Sequence, residues 1–458
     1  MRRNPFTILA FLLLVVSLKS FAQTYRWIDP DRTWFGYEAS FQDQQIAEKD
    51  GEMTMDTPHK EKALEKLINA YHKETGFIVE DTEVNDGDFK PGVDETYINS
   101  DEQVRTTMEP GCIEWNFGPK TIKQIVKSWT PVFKAAEKAK LTNYYYQVGT
   151  GSGGGHFHVG GPTPAENPFI KNPLLLRNLF AYFHEHPSLS YAFGEAYDIG
   201  EDSNTPDLHL SVRRQLGFQR VIEAFDNWYK AETSPTEKRN AGAKFIQMLE
   251  SDAETNWVFA HYSMINLEHM SGFEGRQKYN TQKTTVEFRG VRSLPSAKHI
   301  EAFAEMLLRL MDHLADPELQ LPFKVYTAAE SLNMMSLKKT ELDWEKVKAE
   351  IKVNRPELDE LIHEYATENN FKKQRIKNGF IRETYSDPDL QGRLIEIAIA
   401  ADKNGEVPKF YNFQGVNIRL EEVSFGKEKW AIGVFDKRRS ARKYFQGIAP
   451  MRCLDLFM

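Results

Sequence analysis

Three observations predict an α+β fold in which an antiparallel sheet is backed by helices. Short runs with two-residue alternation recur between residues 34 and 290. Stretches with apolar residues at i, i+3, i+4 and i+7 separate them, and glycine, proline, asparagine and aspartate punctuate the junctions. Strands interleaved with helices and closing on one another give a mixed domain rather than a bundle or a sandwich.

The first strand is Trp34 to Gln42, with Glu38, Ser40 and Gln42 on one face and Tyr37, Ala39 and Phe41 on the other. Thr57-Pro58 opens a helix whose apolar stripe is Leu64, Leu67, Ile68 and Tyr71, and Gly76 ends it. Phe77 to Val84, Val93 to Ile98 and Cys112 to Phe117 read as strands, the last stopped by Pro119. A helix from about Thr121 carries Ile122, Ile125, Val126 and Trp129 on one face and is expected to kink at Pro131.

A strand from Tyr144 to Gln147 leads into Gly149-Thr150-Gly151-Ser152-Gly153-Gly154-Gly155-His156-Phe157-His158-Val159-Gly160-Gly161. The glycines permit positive φ and close approach of a ligand to the backbone. Alternation puts His156 and His158 on one face. Three helical stretches follow from Asn172 to Asp252. Aromatic residues there (Phe180, Tyr182, Phe183) read as core, and His184 and His186 as surface or capping groups, two apart and on different faces. A final core strand runs from Thr284 to Gly290, and the next helix buries Ile300, Phe303, Leu307, Leu310, Met311 and Leu314.

From about residue 326 charged helices are expected to run to near Lys403, followed by a hairpin of Gly415–Val423 and Trp430–Phe435 around Ser424-Phe425-Gly426. The basic cluster Lys437-Arg438-Arg439, Arg442 and Lys443 is either a solvated surface or a contact for an anionic envelope component. The organisation expected is therefore a leader at 1–22, a main domain at 23–325 and a carboxy-terminal helical region with a terminal hairpin at 326–458.

The leader is read from Arg2-Arg3, the apolar run Phe6 to Leu18, and small residues at Ser20-Phe21-Ala22. That is the pattern of a cleaved signal peptide, with an uncleaved anchor as the alternative, and it predicts an exported protein, periplasmic or secreted. Loss of Arg2, Arg3 and Lys19 would take the formal charge from −8 to −11. Such an acidic balance argues against nonspecific nucleic-acid binding. With two cysteines, Cys112 and Cys453, the chain is not built on disulfides, although one bridge is possible.

Polar residues on the strands form the chemical candidates: Glu38; Glu109 and Glu114; His156 and His158; Glu287 and Arg289. A sheet face tolerates such groups when they pair or bind something. Carboxylates with one or two imidazoles suit Mg2+ or Mn2+ rather than a structural zinc cage. Arg289 and Arg292 offer planar forks for anionic oxygens, and the glycine loop can turn backbone N–H groups towards phosphates. Glu109 also reads as a loop residue before Pro110-Gly111, and Glu287 and Arg289 as partners of each other alone.

These residues fall into three motifs that resemble the amidoligase group of carboxylate–amine ligases, relatives of glutamine synthetase and glutamate–cysteine ligase. Phe35-Gly36-Tyr37-Glu38-Ala39-Ser40-Phe41 resembles the opening Gly-x-Glu-x-Glu-Phe strand. Gly151 to Gly160 resembles the glycine-led His-x-His-x-Gly strand. Tyr262-Ser263-Met264-Ile265-Asn266-Leu267 with Thr285-Val286-Glu287-Phe288-Arg289 resembles the Tyr-x-x-x-Asn-Leu…Thr-x-Glu-Phe-Arg ending.

The resemblance, over roughly residues 32–315, implies a curved antiparallel sheet of the glutamine-synthetase type holding ATP and divalent metal on its concave face. By motif position Glu38, His156 and Glu287 would hold one metal and Glu114 would help hold a second. Gly151, Ser152, Gly153, Gly154, Gly155, His158 and Arg289 would face the nucleotide. Glu287, Arg289 and Arg292 would serve the phosphoryl step. The implied reaction joins a carboxylate and an amine on an amino acid, peptide or cell-wall fragment through an acyl phosphate. Ser40 stands where the family has a second glutamate, which leaves the second metal one ligand short. An ATP-driven reaction outside the cytoplasm is also unexpected. Two alternatives follow: a metal-dependent envelope enzyme that cleaves or transfers an amide without ATP, or a non-catalytic binding protein on the same scaffold.

Overall fold

The computed structural model describes residues 25–43, 57–76, 95–99, 104–108, 113–143, 155–186, 189, 193, 212–259, 263–270, 284–289, 291, 293–326, 337–367, 374–376, 379–385, 393–413, 415–425 and 428–436. The leader, the strand expected at Phe77–Val84, the Tyr144–Gln147 strand, Glu109, both cysteines, Gly151 to Gly154, Arg292 and the basic cluster at 437–443 lie outside the described residues.

The protein is α+β. Its main sheet has the order β2-β3-β4-β1-β6-β8-β7, with β5 paired to the end of β1. The strands are β1 (Trp34–Asp43), β2 (Glu95–Asn99), β3 (Val104–Met108), β4 (Ile113–Lys120), β5 (Leu141–Asn143), β6 (His156–Gly160), β7 (Ile265–Asn266) and β8 (Thr285–Phe288), and every pairing is antiparallel. β3 was not foreseen, and β4 runs through Pro119 to Lys120, its register shifting against β1 between Phe35 and Tyr37. Proline is tolerated at such an irregular strand end, where a ladder donor is dispensable.

Alternation sorts the side chains of this sheet. One face presents Phe35, Tyr37, Ala39, Phe41, Ile113, Trp115, Phe117, Phe157, Val159, Val286 and Phe288, all buried. Helices α1 (Thr57–Thr75) and α2 (Ile122–Ala139) and, further on, the helix Ala297–Leu314 cover it. The Trp129 ring of α2 meets Tyr37 and Phe117 edge-on at 5.1 and 5.0 Å, and Tyr71 of α1 meets Trp115 at 4.9 Å. Gly76 ends α1 at φ +75°, where a side chain would be strained. α2 continues through Pro131 as one helix.

Helices α3 (Leu175–Glu185), α4 (Val212–Ala231) and α5 (Ala241–Ser251) form a further layer around Phe180, Phe218, Phe225 and Phe245. α6 (Ala297–Leu314) buries each of its six expected apolar residues and brings Phe303 to 4.9 Å from Phe157. The amino-terminal stretch is pinned to this helix, because the Asp312 carboxylate accepts from the backbone N–H groups of Arg26, Trp27 and Ile28.

α7 (Leu337–Glu350) and α8 (Pro356–Thr367) are followed by strands, not by further helix. β9 (Gln374–Ile376), β10 (Gly379–Tyr385), β11 (Arg393–Ala400), β14 (Glu421–Phe425) and β15 (Glu428–Asp436) make a five-stranded antiparallel sheet, while β12 (Phe410–Phe413) pairs with β13 (Val416–Arg419). This corrects the carboxy-terminal reading of helices with one hairpin. The hairpin exists as β14–β15, but Ile395, Ile397 and Ile399 alternate at strand period, and β-branched alternation outweighs the charge density that suggested helix. Among the described residues no helix is long and apolar enough to cross a membrane.

Candidate metal centre

The other face of the main sheet is polar. In β1 the side chains opposite Tyr37 and Ala39 are Gly36, Glu38 and Ser40, and registration extends this row across four neighbouring strands. Glu38 sits opposite Asn116 on β4 and His156 on β6; Ser40 sits opposite Glu114. His158 lies between Gly36 and Glu287, and Glu287 in turn faces Asn266 on β7. The antiparallel register thus gathers onto one surface the polar residues that sequence placed on separate strands.

Gly36 suits this crowding, since a Cβ there would come within 3.3 Å of His158 Cβ and push against it. The described glycines beside the histidines do not supply the positive φ that was expected of them. None of Gly155, Gly160 and Gly161 has a positive φ. Instead a Cβ on Gly155 would strike the Tyr37 hydroxyl at 2.3 Å, and one on Gly161 the Glu166 carbonyl at 2.5 Å. Tyr37 cannot easily yield, because its hydroxyl accepts the Leu294 N–H at 2.7 Å.

Glu38 bridges both histidines: its Oε2 is 2.9 Å from His156 Nδ1 and its Oε1 is 3.1 Å from His158 Nε2. Glu287 Oε1 is 3.4 Å from His156 Nδ1 and accepts from Arg289 at 2.7 Å, while its Oε2 accepts from Asn266 Nδ2 at 2.9 Å. Burial alone would raise the pKa of Glu38, yet the imidazole of His158, with hydrogen bonds from His156 and His158, holds it well below the usual carboxylate range. Glu287 is likewise favoured as a neutral acid by burial but pulled below its ordinary value by His158, His156 and Arg289. His158 is pushed down by burial and lifted above its ordinary value by Glu38 and Glu287. The site therefore favours the ionised form of both carboxylates, Glu38 at 2.9 and 3.1 Å and Glu287 at 3.4 and 3.8 Å from imidazole nitrogens, in a largely buried place.

Two trios offer ligand atoms that lie within 4.8 Å of one another: Glu38, His156 and Glu287, and His158, His269 and Glu287. The first is the expected metal set. Glu114 belongs to neither trio among the described residues; its Oε1 accepts from Asn116 Nδ2 at 2.7 Å. Arg289 pairs with Glu287, but Glu287 also meets His156 and Asn266, so the two are not partners of each other alone; the buried Arg289 Nε has no hydrogen-bond partner among the described residues. Asn116 Oδ1, also on this face, is likewise buried and unpartnered.

Sequence reasoning missed His269. It rides on the short 3-10 turn Glu268–Met270, started by Asn266 Oδ1 accepting the Glu268 N–H at 2.7 Å. Asn266 was part of the quoted motif, but its double task, steadying Glu287 and the turn that carries His269, depends on a two-residue strand that no periodicity marks. His184 and His186 were also misplaced. Both are buried, because α3 is covered on nearly all sides, and spacing says nothing about exposure in a helix without a solvent face.

A family model described as "Putative amidoligase enzyme (DUF2126)" matches residues 89–225. That span holds Glu114, His156 and His158, and over it the likeness to amidoligases is borne out. No curated protein matches. A solved structure titled "Crystal structure of novel glutamine synthase homolog" is similar at 11% identity with a TM-score of 0.33, across 73% of this chain and 66% of that one, just short of two thirds of its length.

Proposed function

We propose that this amidoligase-like chain is an ATP- and divalent-metal-dependent carboxylate–amine ligase, exported after removal of residues 1–22. The observation that supports it most is the pair of ionised carboxylates, Glu38 and Glu287, joined by His156 on a buried polar face. Such a donor set fits Mg2+ or Mn2+. In this reading Glu38, His156 and Glu287 hold the ion, which would neutralise charge on the nucleotide's terminal phosphates.

Arg289 adds a further positive charge beside Glu287. Its guanidinium is anchored on Glu287, and its unpartnered Nε leaves a donor for an anionic oxygen. Phosphoryl transfer asks mainly for positioning and charge neutralisation, which suits a site without a nucleophile. A substrate carboxylate oxygen attacks the terminal phosphorus and ADP leaves. The amine nitrogen then attacks the acyl carbon, phosphate departs, and the nitrogen gives up one proton to form the amide. The substrates proposed are small molecules or peptides bearing a carboxylate and an amine. Gly151, Ser152, Gly153, Gly154 and Arg292, which lie outside the described residues, are proposed to face the nucleotide, and Glu114 the acceptor.

The test is calorimetric titration of ATP into the purified chain with and without Mg2+. Magnesium-dependent binding that is lost in His156→Ala and Glu287→Ala supports the ligase. Ion binding with no nucleotide binding overturns it in favour of an amide-cleaving or binding protein. Ser40, buried opposite Glu114, is the observation behind that second reading, because it removes a carboxylate from the acceptor side.

A further inference from the structure

We propose that the polar face holds a second cation position, formed by His158, His269 and Glu287, and that this position selects a transition-metal ion such as Zn2+. It rests on the metal reading above but not on ATP. The position adjoins the Glu38–His156–Glu287 set and shares Glu287 with it, one carboxylate serving both. It lies on the opposite flank of Glu38 from Glu114, so it is not the second metal that the motifs implied.

Three features carry this assignment. The donor atoms of His158, His269 and Glu287 converge within 4.8 Å of one another, and the two imidazole rings are 5.7 Å apart, inclined at 48°. Each ligand is held from behind. Asn266 donates to Glu287 Oε2 and caps the turn that presents His269, while Met270, fully buried, anchors the far end of that turn. Thr285 Oγ1 stands 3.4 Å from His158 Nδ1, where it can orient the ring as an outer partner.

The donor chemistry of the two positions differs. Two carboxylates and one imidazole make the first hard and suited to Mg2+ or Mn2+. Two imidazoles and one carboxylate make the second softer, the ligand set of many catalytic zinc sites with a position left open. A shared carboxylate then couples the two, since an ion at either place withdraws charge from the other.

The experiment uses the full purified chain, stripped with chelator and dialysed against Zn2+ in the presence of excess Mg2+, with bound ions counted by elemental analysis. The wild-type chain is expected to hold one Zn2+ that Mg2+ does not displace, alongside an ion at the Glu38 position. His269→Gln is expected to lose the Zn2+ and keep the other ion; Glu38→Gln is expected to do the reverse. Circular dichroism checks each variant's fold, and His269→Asn replaces the glutamine variant should that one not fold. A wild-type chain that holds a single ion, or a His269→Gln chain that still holds both, overturns the second position. ATP titration of the same preparations keeps the two readings apart. Two ions without ATP binding sinks the ligase alone, and ATP binding with a single ion sinks the second position alone.

Discussion

The two faces of the main sheet come from the same strands, residue by residue, yet they obey opposite rules. Tyr37 and Glu38 are neighbours in the chain; one packs under Trp129, the other bridges two imidazoles. Beneath the sheet, polarity is penalised. Above it, polarity is concentrated and held charged. Two histidines make the contrast concrete. His184, in the helical layer, stacks on Phe323 and donates from Nε2 to the Lys324 carbonyl at 2.6 Å; burial drives its pKa down to about 4, the carbonyl only partly opposing. His158, on the polar face, is also disfavoured by burial, but Glu38 and Glu287 raise it above its ordinary value. Burial sets the penalty in both cases, and the partner decides the outcome.

The sharpest way to break this contrast is to hollow out the apolar side. Trp129 is 2% exposed and joins Tyr37, Phe117 and Phe133. Trp129→Ala should cost about 3–5 kcal/mol in urea denaturation, the range for deleting a buried aromatic. A loss under about 1 kcal/mol would show that the helical layer does not hold the sheet.

The next effect is in pH. An unfolded His184 takes up its proton near 6.5 and the folded one near 4, so the unfolded state binds more protons between those values. Its contribution is complete above pH 6.5 and is lost as pH falls through 4. At 1.36 kcal/mol per pKa unit the whole loss is about 3 kcal/mol. Urea curves from pH 7 to pH 4 should be flatter for His184→Gln than for the wild type, and equal slopes would remove His184 as the cause.

The smallest stability effect should come from the polar face itself. Glu38→Gln keeps shape and a hydrogen-bonding oxygen, and it relieves the repulsion between Glu38 and Glu287. In chelator its unfolding free energy should change by about 1 kcal/mol or less. With Mg2+, the ion proposed for the Glu38 position, at a hundred times its dissociation constant, the wild type should gain about 2.7 kcal/mol and the variant almost none. Equal gains in both proteins would place the ion elsewhere.

How much of this was visible in the sequence depends on which periodicity carried the information. Glu38 beside Tyr37 and His156 beside Phe157 were legible as alternation, and α6 as a 3.6-residue stripe, because each is a local pattern that burial enforces. His269 was not, since its place depends on a turn capped from a two-residue strand. Nor were β9–β11: the isoleucines of β11 alternate, but charge in the surrounding stretch masked a period of two. The glycines at 155 and 161 were expected to permit positive φ, which neither adopts. What limits them is the bulk of Tyr37 and the Glu166 carbonyl, and no local pattern reports a neighbour that arrives from elsewhere in the chain.

The strand order has a kinetic corollary. Glu38 and His156 are 118 positions apart in the chain, and Glu287 joins through β8, which lies between β6 and β7 in the sheet. A fragment that lacks β1, β6 or β8 cannot assemble the Glu38–His156–Glu287 set, so loops of this length must close before an ion finds those donors, the slow part of folding for sheets with distant pairings. Ion capture therefore reports completed folding of the main sheet. A stopped-flow trace of ion uptake during refolding should lag behind helix formation and coincide with the last sheet-forming phase.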